Sequence, residues 1–307
     1  MNKKIGFLFP GQGAQYPGMG RDFFEQFEEA KAVFQKADKI LGEPFSERIF
    51  NGPQEELTLT KNSQLAIFIT SIAILRVMQS QNPDLQPVVC AGLSLGEYTA
   101  LVAAEKLSFE AALLLVKARG SFMQEACVSH PGVMHVILGL ELTAVQEVTD
   151  PIEGVWIANL NCPGQIVIAG TQEGVEKAAV LLKEKGARRI MPLQVSGAFH
   201  SGLMQEAKER LEPMIRNTAI SESSIEIVMN IPGDYVCLMD EMRQNMICQV
   251  TQPVCWQKGI EAMLEKGVDL FIEMGPGKTL AGMNKRIGVE VPIISVEKVE
   301  DLYAPVA

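Results

Sequence analysis

The segment Val88-Val89-Cys90-Ala91-Gly92-Leu93-Ser94-Leu95-Gly96, continuing into Glu97-Tyr98-Thr99-Ala100-Leu101, decides how this chain folds. Four apolar residues stopped by a glycine predict a short buried strand, and the apolar spacing from about 96 to 104 predicts a helix. Between them Gly92-Leu93-Ser94-Leu95-Gly96 fits G-x-S-x-G. In that turn the glycines permit a sharp passage from strand to helix that lifts the serine hydroxyl clear at the helix N-terminus. Free amides and the helix dipole there favour developing negative charge. Five such residues alone suit any turn; the flanking strand and helix make the pattern informative.

Working outward, Ile5 to Phe9 is another short apolar run, ended by Pro10-Gly11, and reads as a buried strand entering a loop. Helical spacing covers 21–41, 63–80 and 109–126. Strands alternating with helices predict a parallel sheet covered on both faces. From about 128 the texture changes. Gly132 to Leu140 reads as a strand, 143–149 as a helix, Val155 to Leu160 and Gln165 to Ala169 as paired strands, 172–185 as a helix and 188–195 as a strand. That β-α-β-β-α-β order is ferredoxin-like. Further helices are expected at 201–217 and 254–266, with strands near 225–230, 269–273 and 292–296. The predicted class is α/β: a large α/β-hydrolase-like domain with a parallel sheet core, residues 1–127 and 198–307, plus an inserted ferredoxin-like subdomain, residues 128–197.

The 307 residues suffice for a sizeable core, and 47% hydrophobic with 21% charged residues is a globular balance. A formal net charge of −10 disfavours nucleic acid as a partner. Six cysteines occur without a CxxC pair and without clustering near the three histidines, so no disulfide framework, metal site or cofactor is expected and a reducing cytoplasm fits. The N-terminal Met1-to-Phe9 stretch has too short an apolar run for a signal peptide. Leu65 to Met78 is interrupted by Thr70, Ser71 and Arg76, and reads as a buried core helix rather than a membrane span.

Ser94 requires a base. His135 falls inside a predicted strand and His130 precedes Pro131 in a loop, whereas His200 sits in Ser196-Gly197-Ala198-Phe199-His200-Ser201, where the chain re-enters the large domain. A neutral imidazole there is a competent base near pH 7. No Asp or Glu is obviously placed as a third member; a backbone carbonyl would orient the ring equally well. Phe9-Pro10-Gly11-Gln12-Gly13 follows the first strand, and its glycines allow the close amide approach an oxyanion hole needs, although a plain turn reads the same way. Arg119 lies in a very apolar helix and demands an anionic partner, either an internal acid or a substrate carboxylate held bidentately. Gly277-Lys278-Thr279 tempts a phosphate-loop reading, but position 272 is Ile where a glycine is required, so no nucleotide site is assigned.

Taken together, FPGQGAQ (9–15), GLSLGEYTAL (92–101), RGSFMQEA (119–126), NLNCPGQIVIAG (159–170), GAFHSGLM (197–204), QVTQPVCW (249–256) and EMGPGKTLAGM (273–283) resemble the malonyl-CoA:acyl carrier protein transacylases of fatty-acid synthesis, in the family's order and over nearly the whole chain. The resemblance implies a ping-pong acyltransferase acting on malonyl-CoA and acyl carrier protein. Ser94 would attack the thioester with His200 as base, and the amides of Gln12 and Leu95 would hold the oxyanion. Arg119 would clamp the malonyl carboxylate, and the main-chain carbonyl of Gln249 would orient the histidine. Asn159 and Asn161 match polar residues near the site, Met123 is carried over as a substrate contact, and Phe199 resembles the malonyl-selective pattern of related polyketide acyltransferases. One departure stands out: the family usually has His before the nucleophile, and here position 93 is Leu.

Carrier proteins of this kind are acidic, so the basic run Lys183, Lys185, Arg188 and Arg189 is a candidate docking patch on an otherwise acidic chain. Rival readings are a serine thioesterase or esterase with the same elbow, a discrete acyltransferase serving a polyketide synthase, and a non-catalytic carrier-binding module. Neither of the first and last uses Arg119.

Overall fold

In the computed structural model, which describes residues 3–303, strand β1 (Ile5–Phe9) is buried along its whole length and leads into helices α1 (Arg21–Gln26), α2 (Glu28–Leu41), α3 (Phe45–Asn51), α4 (Gln54–Thr58) and α5 (Thr60–Gln81). Met1, Asn2 and the last four residues of the expected large domain lie outside the described residues. The chain continues through β2 (Pro87–Gly92), α6 (Gly96–Ala103) and α7 (Phe109–Ser129). Next come β3 (Val133–Leu138), α8 (Leu142–Thr149), β4 (Val155–Cys162), β5 (Gln165–Gly170), α9 (Gln172–Glu184) and β6 (Arg189–Pro192). After a short 3-10 turn at Gly202–Met204 follow α10 (Gln205–Asn217), β7 (Glu226–Met229), β8 (Asp234–Tyr235), α11 (Met239–Cys248), α12 (Trp256–Glu265), β9 (Leu270–Met274), α13 (Thr279–Ile287) and β10 (Ile293–Val296).

Six strands form one sheet in the order β10-β9-β1-β2-β7-β8, parallel throughout except for the short β7–β8 hairpin. Because side chains alternate across a strand, β1 and β2 feed two separate apolar layers. Phe7, Phe9 and Cys90 enter the layer shared with α2, α5, α6 and α7, while Leu8, Val89 and Ala91 enter the layer of Trp256, Ile260, Met263 and Leu280 from α12 and α13. Helices thus cover both faces, as the runs of uninterrupted apolar residues predict.

By length and composition α5 would suffice to cross a membrane, but 83% of its most apolar window is buried inside the protein. It packs against α2, α4, α6 and α7 and serves as the central helix of the larger layer.

The second sheet is antiparallel, β4-β5-β3-β6, with α8 and α9 on one side, which is the ferredoxin-like arrangement. Alternation again splits its residues. Ile137, Ile166 and Ile168 pack with Val145, Val175 and Leu182 of its own helices, while Met134, Val136, Val167 and Ala169 join the large apolar layer. This second sheet is therefore pinned against the rest of the molecule on one face.

Three departures from the sequence reading have clear causes. The helix expected over 21–41 breaks at Phe27, whose backbone is extended, and the bend lets Phe24 meet Phe34 and Phe50 in one aromatic cluster. Helices α3 and α4 span only 7 and 5 residues, too few turns for a periodic signal, and α11 buries only Met242, Met246 and Ile247, a thin apolar stripe. The strand expected over 188–195 shortens to Arg189–Pro192: one further bond, Leu193 N–H to the Met134 carbonyl, follows before the Val195 amide turns back onto the Leu193 carbonyl.

Candidate active site

The turn between β2 and α6 is built by close backbone approach. A methyl group on Gly92 would collide with the backbone of Gly96, one on Gly96 with the Phe9 carbonyl, and one on Gly11 with the Leu93 carbonyl. The Leu93 amide donates to the Phe9 carbonyl at 3.0 Å, which locks the elbow to the end of β1. Ser94 itself has φ of +53°, a left-handed conformation unusual for serine, and its amide is held by Asn230 Oδ1 at 2.7 Å. The neighbouring amides of Gln12 and Leu95 donate to no protein group among the described residues.

His200 also adopts a left-handed backbone, φ +56°. Ser94 Oγ lies 2.8 Å from His200 Nε2, and His200 Nδ1 lies 2.6 Å from the Gln249 carbonyl oxygen. A carbonyl only accepts, so the Nδ1 atom carries the proton and Nε2 offers its lone pair to the serine hydroxyl. Burial, and secondarily the Arg119 charge, lowers the imidazole pKa to about 4, against the pull of carbonyl acceptors. At neutral pH the ring is therefore an uncharged base with its tautomer set by a backbone atom. The histidine bonds to no carboxylate.

Arg119, on α7, is buried to 1% exposure. Its Nη1 donates to Gln64 Oε1 at 2.6 Å, and Nη2 donates to Gln249 Oε1 at 2.9 Å and to Ser94 Oγ at 3.1 Å. Its Nε has no partner, and the guanidinium carbon stands 5.6 Å from the centre of the Tyr98 ring. None of the ion pairs among the described residues includes it. Of the two partners the sequence leaves open, no internal acid bonds the guanidinium among the described residues, and buried Glu97 acts on it only through space. Burial lowers the pKa of this guanidinium, opposed by Tyr98 and Glu97. The arrangement presents a desolvated cation, without a bonded counter-ion, beside a nucleophile-type hydroxyl: a receptor for a small anion attached to the reacting group.

The remaining candidates are distributed around this centre. Met123 follows one turn after Arg119, buried, with its sulfur 3.5 Å from Gln64 Nε2. Phe199 is buried beside His200. Asn159 and Asn161 lie on β4, which is tied to the segment after Gln249 by bonds from Leu160 N–H to Val254 O and from Val254 N–H to Ala158 O. Neither asparagine side chain bonds to Ser94, His200 or Arg119, and Asn161 Oδ1 is buried without a partner. Leu93 packs against the apolar layer of α12 and α13. Lys183 donates to the carbonyls of Ala187 and Arg188, Lys185 pairs with Glu147, and Arg188 and Arg189 are exposed; none touches the central residues. His135 lies within β3 and His130 approaches exposed Glu206 at 4.0 Å, both away from the serine.

Sequence reasoning missed four contributors: Gln64, Asn230, Glu97 and the side chain of Gln249. Glu97 alone left a signal, since it is the one acid in the eight-residue helix α6, all of which is buried. The others become visible only where α5, β7 and α11 converge on the elbow.

The model of the acyl transferase domain matches residues 6–299. The malonyl CoA-acyl carrier protein transacylase of Bacillus subtilis (strain 168) is 44% identical over 303 residues, covering 97% of this chain and 95% of that protein. A crystal structure of malonyl CoA-acyl carrier protein transacylase from Clostridium perfringens superposes with a TM-score of 0.92 at 40% identity, covering 97% and 95% of the two chains. A type II PKS acyl-carrier protein in complex with its malonyl-transacylase gives a TM-score of 0.93 at 35% identity, with 97% of each chain covered.

Proposed function

The chain belongs to the malonyl CoA-acyl carrier protein transacylase family, and on that premise we propose that Ser94 carries the acyl group and that His200 moves its proton. The protein is an acyltransferase that passes a malonyl group from malonyl-CoA to the phosphopantetheine thiol of acyl carrier protein, for fatty-acid biosynthesis.

In the first half-reaction His200 Nε2 takes the Ser94 proton as Oγ attacks the thioester carbonyl, and the carbonyl electrons move onto oxygen. The amides of Gln12 and Leu95, which have no protein acceptor, receive that oxyanion. Collapse of the tetrahedral species breaks the carbon–sulfur bond, and the imidazolium returns its proton to the departing coenzyme A thiolate. The second half-reaction runs the same steps in reverse, with the carrier thiol as attacking group and Ser94 as leaving group. Throughout, Arg119 holds the free carboxylate, with Met123, Phe199, Asn159 and Asn161 as further lining of the acyl pocket.

One observation carries this reading: a buried, unpaired guanidinium within 3.1 Å of the hydroxyl that the oriented histidine activates. A simple hydrolase has no use for that cation. We place the chemistry between the large unit, residues 1–127 and 198–307, and the insert, residues 128–197. Exposed Arg188 and Arg189, with Lys183 and Lys185, are proposed to meet the acidic carrier protein. Six free thiols favour a reducing, cytoplasmic setting.

The test is intact mass after brief exposure to malonyl-CoA. Wild type gains one malonyl group and Ser94→Ala gains none. Release of free malonate at full rate without carrier protein would instead identify a thioesterase.

A further inference from the structure

Behind the serine and histidine lies a buried acid that the reaction above does not use. Glu97 is completely buried in the first turn of α6, and both of its carboxyl oxygens accept hydrogen bonds: Oε2 from the Asn230 main-chain N–H at 2.6 Å, Oε1 from Gln249 Nε2 at 2.9 Å. Gln249 is the residue that touches everything else. Its main-chain carbonyl faces His200 Nδ1, its side-chain Oε1 accepts from Arg119 Nη2, and its Nε2 also donates to the Ser94 carbonyl at 2.9 Å. Asn230 completes the frame, with its Oδ1 on the Ser94 amide and its Nδ2 on the Gly92 carbonyl at 2.7 Å.

We propose that Glu97 is a positioning residue for acyl transfer: its carboxylate fixes Gln249, and through that one residue sets both the orientation of His200 and the placement of Arg119. The proposal rests on the acyl-enzyme reading above. Its chemical logic is one of donors and acceptors. The Gln249 amide is amphoteric, and it can flip by half a turn at little steric cost. An ionised carboxylate accepts only, so it admits one orientation: Nε2 toward Glu97 and Oε1 toward Arg119. A flipped amide would aim its NH2 group at the guanidinium and leave two donors opposed.

The same logic makes the device sensitive to protons, because a protonated carboxyl turns one acceptor into a donor facing an N–H. Burial raises the Glu97 pKa to about 7, opposed by the Asn230 amide, the Arg119 charge and the Gln249 bond. The surrounding elements offer little else that titrates. Tyr98 lies on the same helix and α7 supplies Arg119. Strand β2 supplies Cys90, kept as a thiol by burial, and β7 only Glu226, paired with Lys266. Strand β1 and the buried middle of α5 carry no titratable side chain. His200 stands beyond Gln249.

The experiment is single-turnover acylation of Ser94 by malonyl-CoA and by acetyl-CoA between pH 5 and 8.5, comparing wild type, Glu97→Gln, Gln249→Leu and the double variant. A misplaced catalytic group costs up to about 100-fold, so Glu97→Gln should slow both donors by roughly 10- to 100-fold while reaching full loading at long times. The wild-type rate should fall as pH drops through about 7, and Glu97→Gln should lose that limb. Gln249→Leu keeps the main-chain carbonyl but severs the link, so it should lose the same limb, and the double variant should be no slower than the worse single one. Full wild-type rates in Glu97→Gln overturn the proposal. So does a slowed variant whose pH profile keeps its shape, or a double variant in which the losses multiply. Should Glu97→Gln not fold, Gln249→Leu with an unchanged profile overturns it as well. A wild type that never forms the adduct sinks the acyl-enzyme reading itself.

Discussion

Arg119 is held by three neutral acceptors from three different segments, Gln64, Ser94 and Gln249, and by no acid. Removing one member of a buried charge pair costs about 2–5 kcal/mol, so Arg119→Ala should slow malonyl loading by roughly 30- to 5000-fold. Loading of an uncharged acetyl group should be spared or improved, as competition between the two donors would report. Phe199 makes a weaker distinction. If its ring excludes an α-methyl group, Phe199→Ala should admit methylmalonyl by about 1–3 kcal/mol of relative kcat/KM, whereas equal use of both donors by wild type removes Phe199 as the selector. His200 and Glu97 also oppose each other in acid. His200 is lowered from 6.5 to about 4, so the unfolded chain binds its proton first and stability falls as pH drops across that window. Glu97 is raised from 4.5 to about 7, so the folded chain binds its proton first and stability rises as pH drops across that window. Each effect is on the order of 3 kcal/mol, and between pH 4.5 and 6.5 they largely cancel. Urea unfolding should therefore show little dependence on pH in that range for wild type, and a clear acid loss for Glu97→Gln.

At the level of elements, the elbow depends on space rather than on flexibility. A methyl on Gly96 meets the Phe9 and Pro10 carbonyls, which belong to the end of a fully buried strand and the residue after it. Overpacking of this kind costs about 1–3 kcal/mol, and with backbone on both sides Gly96→Ala should fall at the upper end and abolish Ser94 loading. Gly282, inside α13, has nothing within 4 Å of an added methyl. There Gly282→Ala should stabilise by about 0.5–1 kcal/mol through helix propensity. Thermal unfolding of the pair separates a glycine required by close approach from one that is merely tolerated.

Across the whole molecule, the net charge of −10 repels an acidic carrier except where basic side chains are free. Lys183 is spent on the carbonyls of Ala187 and Arg188, past the end of α9, and Lys185 on Glu147, which leaves Arg188 and Arg189 as the available cations of that run. Arg188→Glu with Arg189→Glu should raise KM for the carrier protein and leave KM for malonyl-CoA unchanged. An equal change in both constants removes the patch from the docking surface. The two sheets, the alternation that feeds their layers and the strand-to-helix elbow were legible from residue order, because each is written in local periodicity and in glycines at a turn. So were Ser94, His200 and Arg119, a hydroxyl in an elbow, a loop histidine and a cation in an apolar helix. What residue order could not convey is who answers whom. The Gln249 side chain bonds both Arg119 and Glu97, Arg119 is hydrogen-bonded by no acid among the described residues, and Glu97 reaches Gln249 across 152 positions. Those pairings arise when α5, α6, α7 and the segment after α11 converge on one point, and a contact of that kind leaves no mark on the spacing of neighbours along the chain.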